Sequence, residues 1–143
     1  MNVFYLIALH SQVQDKLHDE INRVCGDKTP QFTDLPDFVY ALCIIYETLR
    51  LFPVVGSLPH LVQTEQTLLG KHQIPQGTVI SIDFVNTQRN EKLWGEDSNE
   101  FDPSRWLDQE NKGKMIIPPR GAFIGFSDGP RACLGNFIPI FEN

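Results

Sequence analysis

The residues best suited to chemistry lie near the carboxyl end, in Phe126-Ser127-Asp128-Gly129-Pro130-Arg131-Ala132-Cys133-Leu134-Gly135. One cysteine sits there in a glycine- and proline-bearing loop, flanked by an aromatic residue and a cation. A thiolate that binds iron from below a flat macrocycle needs such surroundings. Glycines let the main chain turn tightly and approach a ring. Backbone N–H groups and the start of a following helix lower a thiol's pKa and tune its electron donation. Arg131 suits a carboxylate on a macrocycle rim. Taken alone, the segment also fits a commoner alternative, an inert buried cysteine acting as a small apolar side chain.

Two other segments carry clustered charge. In Glu47-Thr48-Leu49-Arg50, the acid and the cation share one face of a helix and can pair, although any surface helix offers such a pair. In Phe101-Asp102-Pro103-Ser104-Arg105-Trp106, a turn at Asp102-Pro103 would present Arg105 and bury Phe101 and Trp106, which alone reads as an anchored loop.

The elements that must position these residues follow from periodicity. From Ser11, apolar residues recur at Val13, Leu17, Ile21 and Val24 among polar ones, predicting an amphipathic helix that ends at Cys25-Gly26-Asp27. Lys28 to Pro36 reads as a loop in which Thr33 or Asp34 caps the next helix. That helix is expected from about Asp37 to Leu51, with Phe38, Leu42, Ile45 and Leu49 facing the core, and it must stop before Pro53. Short strands are expected at Leu58 to Val62, Thr67 to Leu69 and Val79 to Val85, the last after a Pro75-Gln76-Gly77 turn with proline at its second position. Asn86 to Pro119 reads as a long polar coil, a feature that is often functional. Helices, then strands, then coil define an α+β class with an incomplete sheet.

Composition bounds the rest. The chain has 143 residues, 41 % hydrophobic and 21 % charged, ordinary values for a single soluble globular domain. Its formal charge of −6 argues against nucleic acid as a partner. No apolar run reaches membrane-spanning length, and no basic residue precedes Val3 to Leu9 to make a signal peptide of it. Cys25, Cys43 and Cys133 are odd in number and form no C-x-x-C pair, so unpaired thiols in reducing surroundings are expected.

Taken together and in this order, the three charged segments resemble the C-terminal part of the haem-thiolate cytochrome P-450 family. Glu47 to Arg50 matches the family's Glu-x-x-Arg helix. Pro103-Ser104-Arg105-Trp106 is similar to its Pro-Glu-Arg-Phe segment, with Ser and Trp substituted. Phe126 to Gly135 matches Phe-x-x-Gly-x-Arg-x-Cys-x-Gly at every fixed position. The resemblance implies a partial cytochrome P-450 domain over 1–143. Its parts are a helical part at 1–53, strands at 54–85, a meander coil at 86–120, and a haem-binding loop with a truncated helix at 121–143.

Carried over, the resemblance implies haem (iron protoporphyrin) as cofactor, with the Cys133 thiolate as its axial ligand and metal-binding residue. Such a ligand pushes electron density toward iron and favours O–O cleavage on the opposite face. Phe126 would shield the sulfur, Gly129 and Gly135 would shape the loop, and Arg131 would hold a propionate. His60 stands where relatives place an Arg or His on a propionate, or is an ordinary surface histidine. Glu47, Arg50 and Arg105 imply a charged triad with a structural role, and Val54, Val55, Gly56 and Ser57 a weaker substrate-lining role. In complete relatives the reaction inserts one oxygen atom from O2 into an apolar small-molecule substrate, with electrons from a reductase, usually at the endoplasmic reticulum membrane.

Some positions depart from the family. Pro139 falls where relatives continue a helix, Gly125 replaces a proline and loosens its turn, and Asn136 replaces a basic residue. Met1 to His10 reads as the tail of the oxygen-activating helix and holds no Asp, Glu or Thr, so no catalytic residue is assigned. A fragment is the expectation from these features. The alternatives are a non-catalytic truncated product or incomplete gene model, and an unrelated α+β interaction module.

Overall fold

The structure is a computed structural model that describes residues 2–68, 70–108, 110, 113–116, 118 and 121–137. Helices α1 (Asn2–Leu9) and α2 (Ser11–Cys25) meet at His10. Helix α2 ends as its sequence requires: Gly26 adopts φ +56° and donates its N–H to the Asn22 carbonyl at 2.9 Å. A 3-10 helix, Phe32–Asp37, then leads into α3 (Val39–Leu51). Asp34 caps this short turn, accepting the Gln31 N–H at 2.8 Å, rather than capping α3. The N-terminus of α3 is held instead by Glu20 of α2, whose two carboxylate oxygens accept the N–H groups of Tyr40 (2.7 Å) and Ala41 (2.8 Å).

The face of α3 that points inward differs from the expected stripe. Tyr40, Cys43, Ile44, Glu47, Thr48, Arg50 and Leu51 are buried, whereas Ile45 is 42 % exposed and Phe38, Leu42 and Leu49 are half-buried. The helix turns its ion pair toward the protein because partners for both charges lie there, a choice that apolar periodicity does not register.

Strands β1 (Ser57–Leu61) and β4 (Val79–Asp83) pair antiparallel, with Ser57 opposite Asp83 and Leu61 opposite Val79. Strands β2 (Gln66–Leu68) and β3 (His72–Ile74) form a second antiparallel ribbon. Strand β3 has no counterpart in the sequence reading; of the strand expected at Thr67 to Leu69, Thr67 and Leu68 lie in β2 and Leu69 lies outside the described residues. At the turn before β4, Pro75 takes the first position rather than the second: Thr78 N–H donates to the Pro75 carbonyl at 3.3 Å, and Gly77 takes φ +85°. Strand β4 stops at Asp83, short of Val85, because Asp83 caps a new helix α4 (Phe84–Gln88) by accepting the Asn86 N–H at 3.0 Å.

The stretch read as coil is built from short elements. It holds the end of α4, helix α5 (Glu91–Trp94), a 3-10 helix at Pro103–Trp106 and a bridge between Leu107 and Met115. Val13, Tyr40, Cys43, Ile44, Tyr46 and Trp106 make the core, with Phe101, Phe123 and Phe126 packed against it. The architecture is α+β, with helices carrying the core and the strands in two small ribbons. Among the described residues, no helix is long and apolar enough to cross a membrane. The last helix is described only as a 3-10 turn, Leu134–Phe137; Pro139 lies outside the described residues.

Candidate functional site

Glu47 sits at the centre of a buried ion cluster. Its Oε2 accepts from Arg50 Nε at 2.8 Å and from Trp106 Nε1 at 2.9 Å. Its Oε1 accepts from Arg50 Nη2 (2.9 Å), Arg105 Nε (3.0 Å) and the Asp102 N–H (3.1 Å). Glu47 and Arg50 are 0 % exposed, so both charges depend on these bonds for the solvation that water no longer supplies. Arg50 completes its set through the carbonyls of Gln88, Ser98 and Glu100, leaving no guanidinium donor idle. Arg105 reaches outward to Asp97 Oδ2 at 3.1 Å. Burial would lower the Arg105 pKa, but the Glu47 carboxylate and the bonds to Glu47 and Asp97 raise it overall.

Position 105 is delivered by the turn the sequence suggests. Asp102 accepts the Ser104 N–H at 2.9 Å, Pro103 opens the 3-10 helix, and Trp106 is buried to 1 % exposure. Phe101 is half-buried.

An aromatic cluster leads from these charges to the cysteine loop. Tyr46, beside Glu47 on α3, lies 5.3 Å from Trp106, 5.2 Å from Phe123 and 6.0 Å from Phe126, ring centre to ring centre. Gln88, which is fully buried, makes a second link. Its Nε2 donates to the carbonyls of Leu49 (3.1 Å) and Arg50 (3.2 Å), and its Oε1 accepts the Ile124 N–H at 3.0 Å. Nothing in the polar sequence around Gln88 marks it for burial. Glu20 did leave a signal, since it falls between Leu17 and Val24 on the apolar stripe of α2.

The loop itself is folded by main-chain bonds. Cys133 N–H donates to the Phe126 carbonyl at 2.8 Å, Ala132 N–H to that of Gly129 at 3.0 Å, and Ser127 N–H to that of Ile124 at 2.8 Å. Gly129 takes φ +80°, and Ser127 takes φ +63°, a left-handed conformation uncommon outside glycine and found where surroundings impose it. Phe126 is half-buried, while Gly129, Arg131, Cys133 and Gly135 are exposed. Cys133 is a free thiol and exposed. A Cβ at position 135 would stand 3.5 Å from Cys133 Sγ, an ordinary packing distance, so Gly135 lies directly beside the sulfur.

These features fit a haem iron. Among the described residues no cluster of three or more His, Cys, Asp or Glu could hold a metal ion. The structure therefore brings together Glu47, Arg50 and Arg105, and ties them through rings to Phe126 and Cys133. His60 is exposed on β1 opposite Ile80, and Arg131 is exposed; neither makes an ion pair among the described residues. A cavity of about 400 Å³ lined by His10, Lys16, Tyr40, Phe101 and others lies at the start of α2 and includes none of the loop residues.

Comparison with known proteins agrees with this geometry. Residues 1–142 match the family model described as Cytochrome P450. The chain is similar to a Caenorhabditis elegans cytochrome P450, CYP13A10, with 37 % identity over 138 residues, 96 % of this chain and 26 % of that protein. It is likewise similar to secologanin synthase 1 of Catharanthus roseus, with 36 % identity over 138 residues, 96 % of this chain and 25 % of the relative. The chain belongs to the cytochrome P450 family, the haem-dependent class that its cysteine loop suits. It spans about a quarter of the length of these curated relatives.

Proposed function

We propose that this chain forms the haem-binding part of a haem-thiolate monooxygenase, with Cys133 as the iron ligand. The observation that carries the reading is the exposed Cys133 sulfur, in a loop held by the Cys133–Phe126 main-chain bond with Gly135 beside it. Haem, when bound, supplies the electron-transfer and dioxygen chemistry.

The chain's residues supply position and electrostatics. Cys133 would supply the sulfur ligand, as a thiolate once bound to iron, and Phe126 would shield it. Arg131 is free to meet a propionate, with the exposed His60 as a second candidate. Gly129 lets the loop reverse beside the sulfur. Glu47, Arg50 and Arg105 act at a distance, fixing α3 and the Pro103–Trp106 turn on which the aromatic cluster rests. For the whole protein, the proposal includes an electron-donating reductase, an apolar small-molecule substrate lined in part by Val54 to Ser57, and a place at the endoplasmic reticulum membrane, all carried over from the family.

The test is spectroscopic. Haem is added to the purified chain, reduced and exposed to carbon monoxide, and the Soret band is recorded. A red-shifted thiolate band that Cys133→Ser abolishes is the expected result. A band that persists unchanged in Cys133→Ser, or a nitrogen-ligated spectrum in the parent chain, overturns the assignment.

A further inference from the structure

In the family pattern that the sequence resembles, proline stands at position 125, and glycine there suggested only a loosened turn. The structure gives it a different task. A Cβ built at position 125 would lie 2.6 Å from Phe123 Cζ and 2.9 Å from Cε2, closer than side chains pack. Gly125 is not among the residues with positive φ, so the requirement is for space and not for backbone freedom.

The Phe123 ring, half-buried, is packed among other aromatic rings. It stands edge-on to Trp106 at 5.2 Å and 84°, lies 5.2 Å from Tyr46, and meets Phe126 at 6.2 Å and 70°. Phe126 in turn accepts the Cys133 N–H through its carbonyl at 2.8 Å. Tyr46 and Trp106 belong to the two elements clamped by Glu47.

We propose that the Phe123 ring, seated in the space left by Gly125, is a positioning residue that holds Phe126 and, through its carbonyl, the main chain of Cys133. The functional meaning of this pairing rests on Cys133 being the iron ligand; its geometry does not. Adding a methyl group at 125 forces the ring off its aromatic partners and loosens the loop. Shortening residue 123 restores room for that methyl group.

The experiment compares the 143-residue chain with Gly125→Ala, Phe123→Leu and the double variant. Amide hydrogen exchange at Cys133 is measured with α3 amides as reference, alongside the carbon monoxide spectrum with haem. Gly125→Ala is expected to speed Cys133 exchange about tenfold relative to α3 and to lower the thiolate-type fraction, as overpacking does. Adding Phe123→Leu is expected to recover most of both losses. Unchanged Cys133 exchange in Gly125→Ala overturns the proposal, as does a double variant in which the two single effects merely add. If Gly125→Ala speeds α3 amides equally, the change is global, and the double variant decides: recovery supports the pairing and its absence overturns it. Failure of the iron-ligand reading shows separately, as a parent chain without a thiolate band whose exchange pattern still responds to the paired substitutions.

Discussion

Gln88 and Ile124 are joined by one bond that links the scaffold to the cysteine loop: Gln88 Oε1 accepts the Ile124 N–H at 3.0 Å. The same amide satisfies the Leu49 and Arg50 carbonyls at the end of α3, where a helix leaves its last acceptors unpaired. One fully buried side chain thus closes a helix end and anchors the segment leading into Phe126 and Cys133.

Replacing Gln88 with alanine would remove the partner of two carbonyls and one N–H in a buried to half-buried site. The expected loss is about 3 kcal/mol, since each buried unsatisfied group costs roughly 1–3 kcal/mol and relaxation recovers part of the sum. Urea unfolding measures it, and Ile124 amide exchange should quicken in parallel. A loss below about 0.5 kcal/mol, within the range of an ordinary surface change, would contradict the role given to Gln88.

Arg50→Lys tests whether charge or donor geometry matters in the Glu47 cluster. An ammonium has three donors, but Arg50 serves both Glu47 oxygens and the carbonyls of Gln88, Ser98 and Glu100. The lysine variant should therefore lose about 3 kcal/mol or more, close to the cost of breaking a buried pair. Arg105→Lys should lose less, because Arg105 is partly exposed and its Asp97 contact is at the surface. Equal losses at the two positions, read from urea midpoints at constant slope, would contradict this ranking.

Which features the sequence carried depends on how local their causes are. Helix α2, the Asp102-Pro103 turn and the β1 and β4 segments rest on near-neighbour patterns, and their positions follow from those patterns. Arg50 and Glu47 could be paired from spacing, but the inward turn of α3 depends on Trp106, Gln88 and Ser98, all distant in sequence. Strand β3 is only three residues, too short to show alternation. Glu20 reads as one of the polar residues around the apolar stripe of α2, although its spacing from Leu17 and Val24 places it on that face, whereas the fit of Phe123 over Gly125 depends on where Tyr46 and Trp106 stand and has no sequence mark.

Two buried acidic groups set an alkaline limit on stability. Burial pushes the Cys43 thiol up to about 12, with Glu20 adding to it. Burial also pushes the Tyr40 hydroxyl up to about 12, with Asp102, Cys43 and Glu20 adding to it. In the unfolded chain these groups release their protons near 9.0 and 10.0. Their contribution to stability is therefore fully present below pH 9, falls as the unfolded chain alone loses protons, and is lost by about pH 12. Tyr40→Phe should flatten the decline above pH 10 by one proton's worth of slope, and Cys43→Ala should do so from pH 9. Urea midpoints from pH 8 upward check this, and parallel declines in all three proteins would contradict it.

Glu20 gives the sharpest separation of a cap from an ion pair. Its carboxylate accepts the first free N–H groups of α3 at Tyr40 and Ala41, where the helix dipole favours negative charge. Arg23 lies 3.7 Å away with its side chain 64 % exposed, so that pair should contribute little. Arg23→Ala is accordingly expected to change stability by no more than about 0.5 kcal/mol. Glu20→Ala should cost about 2 kcal/mol, the upper range for a lost cap, because both N–H groups are then left in a buried site. Glu20→Gln should fall between, since the amide keeps one acceptor but turns a donor toward the second N–H. Amide exchange at Tyr40 and Ala41 should rise in the order Gln, then Ala, with Arg23→Ala unchanged. If Arg23→Ala matched Glu20→Ala in both readouts, the ion pair and not the cap would be what holds the start of α3.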